Sequence, residues 1–469
     1  MRIGRRGLLF GAAAALVAPG LARRGWAAAP AATVEAILAR SGLAAVSGFA
    51  VVDLDGDGTL LEGHDPDGGR PPASVAKLFT TLYAREALGT DFRFRTRLLA
   101  AGPVEGGVLR GDLVLEGGGD PVLDTDRLGR LVAALTAAGI QRVEGRFVVA
   151  EGALPFAADV ARDQPEDAGY NPTVSGLNLN FNRVELRWAP GQAPSFGAPG
   201  QKRLVPVSCI AGGVAEGPIR HRFEDGREVW SLPAARVRGT GIDWLPVRAP
   251  AAYAGEVFAG LAGQAGLALG PAVVVARSEG AEVAVSDSLP LDRILRDMLR
   301  FSTNLTAEVV GLRASQARGV APDGIAASAA AMGAWARGRF GLPDASFVDH
   351  SGLGDLSRVA PSEMVAVLRR ADGLAPMLRP RALAATEHEP VDPRITVAAK
   401  SGTLFFASGL AGYLTGDRRL AFAIFAADAE RRAAIRPEER ARPAGSKAWT
   451  ARARTQQQAL LRRWAAVYA

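Results

Sequence analysis

Arg70-Pro71-Pro72-Ala73-Ser74-Val75-Ala76-Lys77 is the stretch on which the reading of this chain turns. Each proline restricts its predecessor to extended backbone, so residues 70–73 read as a straight approach to a helical pattern running from Ser74 to about Leu88. Ser74 at the helix start and Lys77 three positions on share one face, with the amine in reach of the hydroxyl. A serine hydroxyl is a poor nucleophile until a base takes its proton, and lysine becomes such a base when burial or a second cation lowers its pKa. The helix start adds positive potential where an oxyanion would form. Taken alone, Ser-x-x-Lys equally describes a capped helix with a surface lysine.

Lysine usage gives the pair more weight. Only four lysines stand among the 55 basic residues, and two of them fall in short serine motifs, here and in Lys400-Ser401-Gly402-Thr403. Arginine carries the charge elsewhere, and a guanidinium does not release its proton, so a site that needs a deprotonatable amine must use lysine. The second motif follows the apolar run 395–399 and reads as an edge strand approaching a cleft. Gly402 would let a substrate backbone come close, and the hydroxyls of Ser401 and Thr403 with Lys400 would receive a carboxylate. The second amine would also help keep Lys77 neutral.

A third motif, Ser302-Thr303-Asn304, lies between two helical patterns. Ser302 could relay a proton there, and Asn304 could hold a substrate amide while positioning Lys77. Singly it is an ordinary helix cap. The order Ser-x-x-Lys, Ser-x-Asn, Lys-Ser-Gly, each in suitable local structure, is what carries meaning.

That ordered set resembles the penicillin-recognising serine enzymes. Gly111-Asp112-Leu113-Val114-Leu115-Glu116-Gly117-Gly118-Gly119-Asp120-Pro121, Leu177-Asn178-Leu179-Asn180-Phe181-Asn182, Asp349-His350-Ser351-Gly352-Leu353 and the run from Lys400 to Tyr413 narrow the resemblance to the D-alanyl-D-alanine carboxypeptidase/endopeptidase family, the class C low-molecular-mass penicillin-binding proteins. The long interval between Ser74 and Ser302 is similar to that family's inserted domains.

The resemblance implies an α/β (α+β) chain whose β-lactamase/transpeptidase-like domain, an antiparallel sheet flanked by helices, is interrupted by a large β-rich insert with a nested smaller lobe. The expected division is 33–92 with 286–469 for the catalytic part, 93–285 for the insert, and about 185–240 for the nested lobe. It implies acyl-enzyme chemistry on peptidoglycan stem peptides, with β-lactams as inhibitors and no cofactor. Ser74 would attack the carbonyl between two D-alanines and Lys77 would take its proton. Ser302 would pass a proton to the leaving group, Lys400, Ser401 and Thr403 would bind the terminal carboxylate, and the N–H groups of Ser74 and Thr403 would form the oxyanion hole.

Three positions depart from the family pattern: Thr303 for the usual Asp, Ser401 for the usual Thr, and His350 for a Gly. Ser401 keeps a hydroxyl. Thr303 loses a charge and touches geometry and rate. His350 reads first as a passive loop position, the alternatives being that it narrows the cleft or, titrating near neutrality, makes activity pH-dependent. Two rival readings stay open: a β-lactamase, for which no Glu stands in the matching loop and Glu166 lies outside the pattern, and a non-catalytic wall-binding or β-lactam-sensing protein, hinted at by Thr303.

Composition limits the rest. With 469 residues and 48% hydrophobic content the chain can bury two or three cores. The formal charge of +7 falls to +2 without Arg2, Arg5, Arg6, Arg23 and Arg24, which gives no reason to expect nucleic acid. Residues 1–29 read as an export signal, and Arg5-Arg6 followed by Gly7-Leu8-Leu9 fits the twin-arginine type. An ordinary secretory signal or an uncleaved anchor is the alternative. The expected compartment is the periplasm, with no membrane span in the mature chain.

Cys209, the only cysteine, excludes an internal disulfide and reads as a buried small residue. The histidines His64, His221, His350 and His388 are scattered without metal-ligand spacing, and His388-Glu389 runs into Pro390, so no metal is implied. Asp53, Asp55 and Asp57 mimic the start of a calcium loop, but His64 stands where the closing Glu belongs, which favours a hairpin turn.

Helices are expected at 34–40, 126–138, 251–265 and 289–300, hairpins at 48–62 and 410–426, and short strands over 171–248. A last helix, 447–469, places Trp449, Leu460, Leu461, Trp464 and Val467 on one face. That face covers the protein's own sheet, or else docks on a membrane as a basic amphipathic tail.

Overall fold

The two apolar runs expected as a hairpin at 410–426 become Ala407–Thr415 and Arg419–Ala427, the middle of a six-stranded antiparallel sheet in a computed structural model. The structure describes residues 31–202, 204–383, 392–436, 439–441 and 443–469. The expected export signal and His388-Glu389 lie outside the described residues. In the sheet the order runs Pro380–Arg381, Thr396–Leu404, Ala407–Thr415, Arg419–Ala427, Ser47–Asp53, Leu60–His64. The expected 48–62 hairpin thus forms the far edge, and Asp55 there accepts the Arg419 N–H at 2.7 Å. Arg419–Ala427 is buried from Leu420 to Ala426 because helices cover both faces of the sheet.

One face packs Phe49, Val51, Phe422 and Ile424 against Ile37 and Leu38 of the helix Val34–Ser41 and against Leu460, Leu461 and Trp464 of the helix Ser446–Val467. Burying each such side chain contributes about 1.5–3 kcal/mol. The C-terminal helix is pinned further where Arg463 and the Trp464 indole N–H, at 2.7 Å, both meet Glu62. Its apolar face is therefore used on its own sheet. Val467, expected on that face, is 46% exposed, while the following Tyr468 and Ala469 pack against the sheet's core. Among the described residues no helix is long and apolar enough to cross a membrane.

The other face carries the helices Lys77–Leu88, Leu291–Phe301, Asn304–Ala317, Ile325–Phe340 and Pro361–Arg369 around one core. A second core belongs to the residues between. Here a five-stranded sheet, Ala272–Val275, Phe147–Ala150, Asp112–Glu116, Arg95–Ala101 and Ala281–Asp287, packs on the helices Thr125–Ala137 and Pro250–Gln264. Sheets of four and three short strands between Arg183 and Pro246 add Leu186, Phe196, Trp230 and Leu245 to the same core. Cys209 packs, half-buried, against it, and burial pushes its thiol pKa up.

What brings this second body to the cleft is the irregular segment between Ala150 and Asn180. Leu154 and Val174 insert into the first core, and the Ala153 carbonyl accepts from Gln316 at 3.0 Å.

Candidate active site

Ser74 lies just before the α-helix that was expected to begin with it. Residues Ala73–Ala76 form a 3-10 turn, and the α-helix begins at Lys77. In a 3-10 turn positions i and i+3 eclipse, which puts Lys77 Nζ 3.0 Å from Ser74 Oγ. Ala73 holds φ 48°, a costly value for a residue with a Cβ. Two glycines clamp the turn from outside. A Cβ on Gly352, itself at φ 73°, would lie 1.9 Å from the Ala73 carbonyl oxygen, and one on Gly402 would lie 2.7 Å from both Pro72 O and Ser74 N.

Lys77 is fully buried. Its Nζ also meets Asn304 Oδ1 at 2.8 Å and the Ser351 carbonyl at 2.7 Å. A neutral amine has two hydrogens for those two acceptors and one lone pair left for the Ser74 O–H, which is the arrangement a general base needs. Burial pulls the Lys77 pKa down to about 8, against the opposing pull of Glu308 and Asp349. Glu308 lies buried behind it and accepts the N–H groups of His350 at 3.0 Å and Ser351 at 2.9 Å. Burial, reinforced by Asp349, pushes the Glu308 pKa up to about 8. Asp349 in turn accepts from Gly352 and Gly354, both at 2.5 Å, and so shapes the Ser351-Gly352-Leu353 loop.

Ser302 ends the helix Leu291–Phe301 in left-handed backbone, φ 60° and ψ 37°, which turns its hydroxyl toward the sheet. Lys400 donates to Ser302 Oγ at 2.9 Å and to the Ser401 carbonyl at 2.7 Å. Burial, then the neighbouring Lys77 and Arg381, hold the Lys400 pKa well below its usual value. The strand Thr396–Leu404 was expected at the edge of the sheet. Pro380–Arg381 pairs with it only at Val397 and Ala398, so Lys400 to Leu404 remains an open edge.

A cleft of about 730 Å³ is lined by Ser74, Tyr170, Ser302, Asn304, Leu353 and Thr403. A pocket of about 240 Å³ beside it touches Ser74, Ser302, Lys400, Ser401 and Thr403. With Gly402 against the Ser74 turn, all eight residues singled out by sequence come together. A further cavity of about 620 Å³ in the second body contains none of them.

Of the two places open to His350, the structure takes the passive one. His350 does not face the cleft: its ring is buried, with Nε2 2.8 Å from Ser328 Oγ, and Gly311 presses on it so closely that a Cβ there would meet the ring at 2.2 Å. Burial pushes its pKa down to about 3, so it stays uncharged near neutrality and occupies a passive, inward position. Asn304 lines the cleft while holding Lys77, and one of its two amide N–H groups is already engaged. Nδ2 donates to the Tyr170 carbonyl at 2.8 Å, because the irregular segment lies over it. Thr303 makes no side-chain cap bond at the start of its helix.

Sequence reasoning missed Glu308, Tyr170 and Arg381. Glu308 stands four residues after Asn304 on the same helical face, a signal that could have found it. Arg381 donates to Ser401 Oγ at 2.5 Å, and only the tertiary fold reveals it.

Known proteins share both the sequence and the architecture. Residues 30–442 match the D-Ala-D-Ala carboxypeptidase 3 (S13) family. The D-alanyl-D-alanine carboxypeptidase of Actinomadura sp. (strain R39) is 29% identical over 444 residues, covering 83% of this chain and 79% of that one. Penicillin binding protein 4 (dacB) from Haemophilus influenzae superposes with a TM-score of 0.72 at 22% identity, over 84% of this chain and 93% of that one. The same protein in complex with a β-lactam superposes at 0.66, with the same identity and coverage. The chain belongs to the D-Ala-D-Ala carboxypeptidase 3 (S13) family.

Proposed function

We propose that this protein is a serine DD-peptidase that cleaves D-Ala-D-Ala bonds of peptidoglycan stem peptides, as carboxypeptidase, endopeptidase or both, and is acylated by β-lactams. One observation carries the reading: a buried lysine amine 3.0 Å from a serine hydroxyl, with its other acceptors fixed by Asn304 and Ser351.

Ser74 Oγ attacks the carbonyl of the penultimate D-alanine as Lys77 takes its proton, and general-base help of this kind is worth about 10²–10⁴-fold. Backbone N–H groups of Ser74 and Thr403 stabilise the oxyanion, and the close approach of Gly402 to Ser74 N supports that pairing. As the C–N bond breaks, Ser302 gives its proton to the departing amine and is reprotonated from the lysine side, where Lys400 already contacts it. Lys400, Ser401 and Thr403 receive the terminal carboxylate. Water then hydrolyses the acyl-Ser74 ester, leaving a shortened stem peptide and free D-alanine.

The separate core supports reading 93–285 as an inserted unit within a catalytic part made of 33–92 and 286–469, with a nested lobe near 185–240. We place the mature chain in the periplasm after removal of residues 1–29, where its substrate is found. Incubation with a stem pentapeptide should release D-alanine at a rate that vanishes in Ser74→Ala. Equal release by both proteins would refute the assignment.

A further inference from the structure

Next to Ser74 the cleft narrows into the pocket of about 240 Å³, and among the described residues four basic side chains line it: Arg300, Arg379, Arg381 and Lys400. No carboxylate is among its described lining residues. Lys400 and Arg381 form the inner pair. Arg381 reaches in from the two-residue strand Pro380–Arg381, with Nε donating to the Ala399 carbonyl at 3.2 Å and Nη2 to Ser401 Oγ at 2.5 Å. Burial lowers the Arg381 pKa, and Arg379 and Arg454 lower it further. Arg300 and Arg379 are exposed, but Lys400 is buried and Arg381 half-buried, and two like charges held there with no acid among the described lining residues repel each other, which an anion relieves.

The hydrogen bonds also say how an anion would sit. Ser401 Oγ accepts from Arg381, so its own O–H is left to donate to a ligand. A guanidinium presents a planar fork that matches a carboxylate, which an ammonium such as Lys400 does not. Lys400 uses two of its three donors on Ser302 and the Ser401 carbonyl, which leaves one for the carboxylate. The pocket lies beside Ser74, on the side toward Ser302, where the departing amine collects its proton in the mechanism above.

We propose that Arg381 is a specificity-determining residue: with Ser401 it holds the free carboxylate of the residue that departs, so that the enzyme selects bonds whose leaving amine carries a neighbouring carboxylate. This rests on the DD-peptidase reading and narrows its substrate to stem peptides with an unmodified carboxylate beside the scissile bond. Amidation there would remove the charge the pocket selects.

The test compares kcat and KM for diacetyl-L-lysyl-D-alanyl-D-alanine and for its C-terminal carboxamide, using wild type, Arg381→Ala and Arg381→Lys. Wild type should prefer the acid. Arg381→Ala should lower kcat/KM for the acid by about 10- to 100-fold, mainly through KM, and leave the amide within about threefold. Arg381→Lys should restore part of the preference. An unchanged acid-to-amide ratio in Arg381→Ala overturns the proposal, as does an equal fall for both substrates, which would mark a purely structural role. Failure of the wild type to cleave either substrate in a Ser74-dependent way overturns the DD-peptidase reading along with it.

Discussion

One side-chain amide joins the two bodies of the molecule at the reacting centre: Asn304 accepts from Lys77 through Oδ1 and donates to the Tyr170 carbonyl through Nδ2, each at 2.8 Å. The segment between Ala150 and Asn180 is thereby tied to the general base itself. Nδ2 keeps a second N–H, which a substrate amide can use without displacing the Tyr170 carbonyl.

Asn304→Asp separates the two bonds by charge. A carboxylate beside Lys77 favours the ammonium and cannot donate to Tyr170, so kcat/KM should fall and the acid limb of the pH–rate profile should move up by about one unit or more. Stopped assays of D-alanine release across pH 6–10 would read both effects. A profile superimposable on that of the wild type would contradict the role given to Asn304.

The wild-type profile follows from Lys77. The base must be neutral, and burial brings its pKa from 10.5 to about 8, so acylation should rise with pH through about 8. Because Glu308 titrates in the same range, the observed step belongs to the pair. Glu308→Gln removes the carboxylate that favours the ammonium and should shift the limb to lower pH. It should also cost about 1–3 kcal/mol, since an amide cannot accept both the His350 and Ser351 N–H groups without presenting a donor to one of them.

His350 should affect stability and leave the pH–rate profile alone. Its pKa is lowered from 6.5 to about 3 by burial, so the unfolded chain binds a proton that the folded chain refuses. Stability from this group is full above about pH 6.5 and declines as pH falls toward 3. His350→Gly should abolish that component and open a cavity beside Ser328 and Met332, lowering stability by about 2–4 kcal/mol. Urea titrations at pH 5 and pH 8 would measure it, and a shifted pH–rate profile would argue against the buried position.

Trp464→Ala should weaken the fold by about 3–5 kcal/mol without moving the reacting groups. Trp464 packs on Phe49 and Phe422, on the sheet face opposite the Lys77–Leu88 helix. Denaturant unfolding should show the loss, and kcat of the folded protein should stay within about twofold. A large loss of kcat at full folding would mean that the sheet transmits the change.

Most of the reacting set could be read from the sequence because its members lie in short local patterns. Ser74 with Lys77, Ser302 with Asn304, and Lys400 with Thr403 each need only one turn or one strand to come into register. The strands at 407–427 were legible because long apolar runs mark a sheet covered on both faces. Tyr170 and Arg381 were not legible, since one comes from a segment without periodicity and the other from a strand of two residues. For His350 the motif left a passive and a cleft-facing place open, and packing against Gly311 and Ser328 decides for the passive one. Val467 keeps the apolar spacing of its helix yet is exposed, because Tyr468 and Ala469 at the frayed end take up the contacts with the sheet's core.

The central claim is that Ser74 is the nucleophile and Lys77 its base, and intact-mass analysis after incubation with benzylpenicillin tests it most directly. Wild type should gain one penicilloyl group, mapped by peptide digestion to Ser74, while Ser74→Ala gains none and Lys77→Ala gains it at least about 100-fold more slowly. Equal labelling of wild type and Ser74→Ala, or a folded wild type that takes up no label, would contradict the account.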